Sequence, residues 1–147
     1  MGTWKIEWKK NFMEWNCYEN NIITEDMIKE IEEYFNISFP QDFLDVIKNY
    51  DCGHPHPNAI NIDGYEEILS NIVSFCENHT SYIINIFEDI EDFKDKRLIP
   101  IAEDPFGNIF CYRMKNNGID IVFWDHENNE EKYVCNKFSE LLALLYD

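Results

Sequence analysis

Residues 98–113 read Leu98-Ile-Pro-Ile-Ala-Glu-Asp-Pro-Phe-Gly-Asn-Ile-Phe-Cys-Tyr-Arg113, and they carry the strongest structural signal in the chain. Two apolar runs flank Asp104-Pro105-Phe106-Gly107, which has the residue order of a tight turn. Asp can hydrogen-bond to the turn backbone, Pro presets φ at the second position, and Gly suits the fourth. The pattern therefore predicts a β-hairpin: a strand, a turn and an antiparallel strand.

A third strand is predicted directly after the hairpin. Ile119-Asp-Ile-Val-Phe-Trp124 follows a second turn signal, Asn116-Asn117-Gly118, and Tyr133-Val-Cys135 is a possible fourth strand. Adjacent strands joined by tight turns exclude a parallel βαβ architecture. We therefore expect an α+β domain with a twisted, mainly antiparallel sheet of about 4–6 strands and helices packed on it.

Helical patterns are found at both ends of the chain. Trp4, Trp8, Phe12 and Trp15 share one helical face, so residues 1–21 are predicted to form an N-terminal helical extension. This aromatic stripe is interpreted as core, with a ligand platform as the alternative. Thr24 is expected to cap a second helix, Pro40 to open a third, and residues 138–146 to form a C-terminal helix.

The middle of the chain is less regular. Residues 53–57 contain Pro55 and Pro57 and are predicted to be a solvated loop, with His54 and His56 as solvated residues rather than metal ligands. Residues 59–63 alternate like a short strand. Residues 65–79 are predicted to be a helix, and residues 82–87 a strand, with a helix as the alternative for the latter.

Length and composition predict one folded domain over residues 1–147. The chain is 45% hydrophobic and 16% aromatic, which is typical of a globular protein and not of a disordered one. It has no apolar run approaching the roughly 18 residues that a membrane span needs, and its first residues lack a signal-peptide core. We therefore expect a cytoplasmic protein, with a monomer favoured.

The charge is strongly negative. Twelve Lys and Arg residues stand against 29 Asp and Glu, giving a net charge of −17. Such a field repels nucleic acid and anionic lipid and attracts basic proteins. The charge therefore predicts no nucleic-acid and no membrane partner. It fits either a basic protein partner or simple solubility.

The five cysteines, Cys17, Cys52, Cys76, Cys111 and Cys135, lack metal-site spacing. We interpret them as small apolar core residues in a reducing compartment.

Motifs for catalysis are equally scarce. The chain lacks a Gly-rich phosphate loop, a Gly-x-Ser-x-Gly motif and a His-Glu-x-x-His motif. One constellation, Asp125-His126-Glu127 with Asp104, could bind a metal or move protons. Neighbouring strand residues point to opposite faces, however, and a surface turn explains the same residues. We predict no catalytic, cofactor or metal site.

Several segments, in order, resemble the SUKH superfamily of bacterial immunity proteins and the fungal regulator of cell-wall glucan synthesis. The resemblance covers residues 24–147, which we take as the family-like core. The matching segments are Thr24-Glu25…Ile28…Ile31-Glu32, Phe39-Pro40, Leu98-Ile-Pro-Ile-Ala, Asp104-Pro-Phe-Gly-Asn-Ile-Phe-Cys111, Ile121-Val-Phe-Trp-Asp-His-Glu127 and Phe138-Ser-Glu-Leu-Leu142. Two positions depart from the family: Arg113 replaces a frequent Asp, and Asp51-Cys52-Gly53 replaces Asn-Gly-Gly.

The resemblance implies a non-enzymatic immunity protein that binds and neutralises a cognate, basic polymorphic toxin, such as a nuclease, in the producing cell. Candidate partner-binding residues lie around the strand ends and the acidic loop: Asp104, Trp124, Asp125, Glu127, Glu130 and Glu131. Two alternatives stay open. One is an intracellular scaffold or regulatory interaction domain, and the other is a small metal-dependent hydrolase using Asp104, Asp125, His126 and Glu127.

Overall fold

The computed structural model describes residues 13–147. The strands are β1 (Glu14–Asn16), β2 (His54–His56), β3 (Ala59–Ile62), β4 (Tyr65–Ile68), β5 (Asn71–Ile72), β6 (Leu98–Glu103), β7 (Ile109–Lys115), β8 (Gly118–Asp125) and β9 (Glu130–Cys135). The helices are α1 (Glu25–Phe35), α2 (Gln41–Tyr50), α3 (Ile83–Asp89), α4 (Phe93–Lys96) and α5 (Phe138–Ala143). Within this range, none of the helices has the length and apolar character of a membrane span.

The predicted antiparallel meander is confirmed. Strands β5 to β9 form one five-stranded sheet in sequence order, and each neighbouring pair is antiparallel. The first five residues of β6 and the first four of β7 are buried, as are five consecutive residues of β8. The apolar runs that predicted the strands therefore form the central layer of the core. The α+β fold class predicted from the sequence is correct.

Helices α1 and α2 form where the sequence predicts them. The Thr24 hydroxyl accepts a hydrogen bond from the Met27 N–H at 3.2 Å, and Asn36 ends α1 in the left-handed conformation. Helix α2 brings Phe43 to the centre of the core. Its ring packs against three rings from other parts of the chain: Phe75, Tyr112 and Phe138. Helices therefore cover the sheet through aromatic contacts.

The helix predicted for residues 65–79 is wrong. Tyr65–Ile68 is β4, which pairs with β3, and Asn71–Ile72 is the edge strand β5. Asp63 and Gly64 both have positive φ, 52° and 87°, which is the geometry of a two-residue hairpin turn. The Asp-Gly turn and pairing with β3 and β6 therefore override the helical spacing of Ile68, Leu69 and Ile72.

Two further predictions need correction. Residues 82–87 were expected to be a strand but form most of α3, the alternative left open for them. Residues 53–57 were expected to be a loop, yet His54–His56 pairs with Glu14–Asn16. A two-stranded sheet leaves one edge of each strand unpaired, and such an edge tolerates proline.

The N-terminal helix is contradicted where the structure describes it. Trp15 lies in β1, opposite Pro55, and stacks on the Tyr50 ring with centroids 5.4 Å apart. Trp4, Trp8 and Phe12 of the same stripe lie outside the described residues. At the other end, α5 is shorter than predicted, because Tyr146 leaves it to exchange backbone hydrogen bonds with Ala59.

The core interpretation of the cysteines is correct for Cys111 and Cys135, which are buried. It is wrong for Cys17, which is exposed, and incomplete for Cys52 and Cys76, which are half-buried. Cys52 and Cys76 line a surface cleft.

Candidate functional site: an acidic cleft beside Cys52

A cleft opens between three regions that are distant in the sequence, residues 18–27, 51–54 and 71–81. It consists of two adjoining cavities of about 310 and 520 Å³ that share Glu19, His79 and Thr80. We call it the acidic cleft, and its described lining contains carboxylates but no Lys or Arg. The lining residues are Tyr18, Glu19, Asn21, Met27, Asp51, Cys52, His54, Asn71, Cys76, Glu77, Asn78, His79, Thr80 and Ser81.

Asp51 supplies a buried carboxylate to the cleft. It is 5% exposed and accepts three hydrogen bonds, from Ser74 Oγ at 2.6 Å, the Phe75 N–H at 2.7 Å and Asn21 Nδ2 at 2.9 Å. It forms no ion pair with another described residue. These three hydrogen bonds connect the end of α2 to the segments at Asn21 and Ser74.

Cys52 occupies a strained position at the rim. The Gly53 N–H donates to the Tyr50 carbonyl at 2.7 Å, and Cys52 has a φ of 57° at the third position of this turn. With Asp51 at φ −48° and ψ 129°, this is type II geometry, which favours Gly or Asn where Cys52 stands. Cys52 Sγ lies 3.8 Å from His79 Nδ1.

The thiol and the imidazole are not arranged as an activated pair. His79 Nδ1 accepts the Ser81 N–H at 3.0 Å, so the ring proton belongs on Nε2, which lies 3.4 Å from Glu19 Oε2. Burial, with smaller contributions from Asp51, Glu103 and Glu19, raises the pKa of Cys52 to about 11. Cys52 is therefore a protonated thiol at neutral pH, and the Nδ1 lone pair is already used.

Two of the residues predicted to bind a partner are buried. Asp104 is 7% exposed, and its carboxylate accepts from the Phe106 N–H at 2.8 Å and from the N–H and Nδ2 of Asn108 at 2.7 and 2.8 Å. Trp124 is 6% exposed, packs edge-on to Phe93, and donates from Nε1 to Asn129. Both side chains hold the ends of the meander in place.

The other four residues predicted to bind a partner lie in the β8–β9 turn and at the strand ends beside it. They are Asp125, Glu127, Glu130 and Glu131. Asp125 accepts the Glu127 N–H at 2.9 Å, and Glu131 forms a 2.9 Å ion pair with Lys96. Glu127 and Glu130 are exposed. The structure therefore brings these acidic residues to one end of the sheet, where Glu127 and Glu130 are the most accessible, and their partner-binding role stays a prediction.

The four histidines have different surroundings. His126 hydrogen-bonds to Asn108 Oδ1 through both its backbone N–H and its Nδ1, at 3.0 and 2.6 Å. The His54 ring packs on Tyr18, and His56 Nε2 lies 3.5 Å from Asp147. Over residues 13–147, no three His, Cys, Asp or Glu side chains group as metal ligands.

The acidic cleft was missed by sequence reasoning. Its residues come from three separate regions of the chain, and pairing of β1 with β2 brings the Tyr18 segment against His54. One signal was present: Asp51-Cys52-Gly53 stands where the resemblance leads one to expect Asn-Gly-Gly. Chemically, the cleft can receive a Lys or Arg side chain between its carboxylates.

An antiparallel meander covered by aromatic-rich helices, with an acidic cleft beside it, defines a small α+β domain. A family model described as SUKH_6, SMI1-KNR4 cell-wall, matches residues 25–142. The chain therefore belongs to this family, and the predicted resemblance is confirmed.

The chain also has a curated relative. The chain is similar to the SPbeta prophage-derived uncharacterized protein YokK of Bacillus subtilis (strain 168), with 24% identity over 150 residues. The alignment covers 86% of this chain and 77% of YokK.

Proposed function

We propose that this protein is an immunity protein that binds and neutralises a cognate toxin in the bacterial cell that makes both. The observation that carries the proposal is the family match over residues 25–142, since this is the superfamily of bacterial immunity proteins that the sequence resembles. The relevant activity is then binding, and the surface that matters is the one that meets the toxin.

The charge supports a basic toxin as the partner. A net charge of −17 accelerates encounter with a positively charged protein, and nuclease domains often carry positive charge at their substrate sites. Two acidic faces are available: the acidic cleft, with Glu19 and Glu77 exposed, and the β8–β9 turn, with Glu127 and Glu130 exposed.

The chemistry of the cleft supports binding over catalysis. An activated cysteine needs a lowered pKa and a free base, whereas burial raises the pKa of Cys52 and Ser81 occupies His79 Nδ1. Outside the cleft, the carboxylates of Asp104 and Asp125, the residues considered for a hydrolase, accept hydrogen bonds from the backbone of their turns.

The proposal is tested by co-expressing this chain with toxin domains encoded by genes that neighbour its own. We expect survival of cells that make both proteins, and a stable complex on size-exclusion chromatography. The double variants Glu19→Lys with Glu77→Lys and Glu127→Lys with Glu130→Lys then identify the contact face, each serving as the charge-matched control for the other. Continued killing without complex formation would contradict the proposal.

A scaffold or regulatory role is the second candidate. The description of the matched family, SMI1-KNR4 cell-wall, favours it, because the fungal members that the sequence resembles regulate cell-wall synthesis. In that case, affinity purification from cells lacking any toxin gene would recover a resident protein whose binding depends on the same acidic residues.

A further inference from the structure

A second groove lies away from the acidic cleft and has the opposite charge. It forms where the end of α1 meets α3, α4 and the strands β6 and β7, and it encloses about 240 Å³. We call it the Arg97 groove. Its lining residues are Phe35, Asn36, Ile37, Phe87, Lys94, Arg97, Leu98, Ile99 and Met114.

One part of the groove is apolar and partly open to solvent. Phe35, Ile37, Phe87 and Met114 pack against the core yet are only half-buried. The Phe35 and Phe87 rings meet edge-on, with centroids 5.1 Å apart, and Tyr34, 45% exposed, packs beside Phe87. Accessible aromatic and thioether surface of this kind is typical of contact sites for apolar side chains.

The other part is cationic. Lys94 and Arg97 line the groove, no carboxylate does so, and neither cation forms an ion pair with another described residue. Among the other described cations, Lys48, Lys96, Arg113 and Lys115 are each paired with a carboxylate. Lys29, Lys132 and Lys137 are not, but these three do not line the groove. In a chain of net charge −17, two unpaired cations on one apolar groove point to an anionic ligand group.

The backbone holds Arg97 at the groove. Arg97 ends α4 in the left-handed conformation, with a φ of 59°, where Gly or Asn is usual. Its N–H donates to the carbonyls of Phe93 and Lys94, and its own carbonyl accepts the Met114 N–H at 3.0 Å. The Arg97 backbone is thus fixed to the strand that supplies Met114, in a conformation that carries strain, and the exposed side chain starts from this fixed position.

We propose that the Arg97 groove binds the C-terminal residue of a partner protein when that residue is apolar. Its side chain would occupy the apolar part, and its carboxylate would receive hydrogen bonds from Arg97 and Lys94. The small volume favours one residue that carries both groups, and a guanidinium matches a carboxylate with two parallel hydrogen bonds. This site is independent of the toxin interface, which requires a basic partner.

The test is an NMR titration of the ¹⁵N-labelled full chain with N-acetyl-phenylalanine, which mimics a C-terminal residue. We expect shifts of the Ile37, Arg97 and Met114 amides, and about tenfold weaker binding of N-acetyl-phenylalaninamide, which lacks the carboxylate. Arg97→Gln should abolish this preference, whereas Lys137→Gln, which changes charge equally at another exposed cation, should keep it.

Three results would overturn the proposal. They are equal binding of the acid and the amide, shifts confined to other parts of the protein, and unchanged preference in Arg97→Gln with a native-like spectrum. A further titration uses acetyl-Phe-Glu-amide, in which the carboxylate is on an internal side chain and the C-terminus is blocked. Binding as tight as that of N-acetyl-phenylalanine would also overturn the C-terminal assignment.

Discussion

At the scale of single residues, acidic side chains in this protein have two different roles. Asp51 and Asp104 are buried and held by hydrogen-bond donors, and both organise the backbone around them. Glu19, Glu77, Glu127 and Glu130 are exposed and contribute mainly to the field around the molecule. Substitution of a buried carboxylate should therefore lower the free energy of unfolding more than substitution of an exposed one, although both remove the same formal charge.

Asp104→Ala is expected to destabilise the fold by about 1–3 kcal/mol, because it leaves the Phe106 and Asn108 N–H groups without their acceptor. Urea unfolding followed by circular dichroism measures the change. Glu127→Ala removes the same charge at an exposed site and should stay within about 0.5 kcal/mol of the wild type. Equal effects of the two substitutions would show that Asp104 is not the residue that holds the turn.

The five thiols should differ in their reaction with iodoacetamide. Exposed Cys17 should react first, Cys52 and Cys76 more slowly, and buried Cys111 and Cys135 only on unfolding. Because burial raises the pKa of Cys52 to about 11, its rate should rise roughly tenfold per pH unit between pH 7 and 10. Mass spectrometry of the alkylated peptides measures these rates.

The alkylation experiment also bears on the proposed function. If Cys52 reacted faster than Cys17 at pH 7, the thiol would be activated, and the argument for binding over catalysis would fail. A Cys17→Ser variant provides the control, because it removes the nearby exposed thiol without touching the Cys52–His79 contact.

At the scale of elements, sequence reasoning succeeded where a local signal fixes the backbone. Thr24 begins α1 through its hydroxyl, and Asp104 and Gly107 make the turn between β6 and β7. It failed where distant pairing decides the structure. β1 pairs with His54–His56 and β5 pairs with β6, and in both cases the partner lies far away in the sequence. Residues 65–68 were mispredicted for another reason: Asp63-Gly64 is a local hairpin signal, but the helical spacing of the apolar residues was followed instead.

The β3–β4 turn offers a direct test of this account. Gly64 has a φ of 87° and an added Cβ would meet no atom within 4 Å, so Gly64→Ala is penalised by backbone conformation alone. We expect a loss of about 1–2 kcal/mol in the free energy of unfolding. Asp63→Asn, also at positive φ, should be nearly neutral because Asn tolerates that conformation. A neutral Gly64→Ala would mean that the turn does not enforce the hairpin.

At the scale of the whole molecule, the family and the sign of the charge were predictable, but the candidate site was not. The ordered motifs predicted the SUKH resemblance, and composition alone gave the acidity. The acidic cleft and the Arg97 groove each combine segments separated by tens of residues. Their residues become neighbours only through tertiary packing, which no local pattern encodes.

The charge of the whole molecule should control how fast it meets a basic toxin. We expect the association rate to fall steeply between about 0.01 and 1 M ionic strength, as the Debye length shrinks from about 30 to about 3 Å. The double variants at Glu19 and Glu77 and at Glu127 and Glu130 remove equal negative charge, so both should slow association at low salt. Only the double variant at the residues that contact the toxin should also have a faster dissociation rate, because contacts within the formed complex determine that rate. Stopped-flow fluorescence measures both rates. An association rate insensitive to salt and to both variants would mean that the acidity of this chain serves solubility and not recognition.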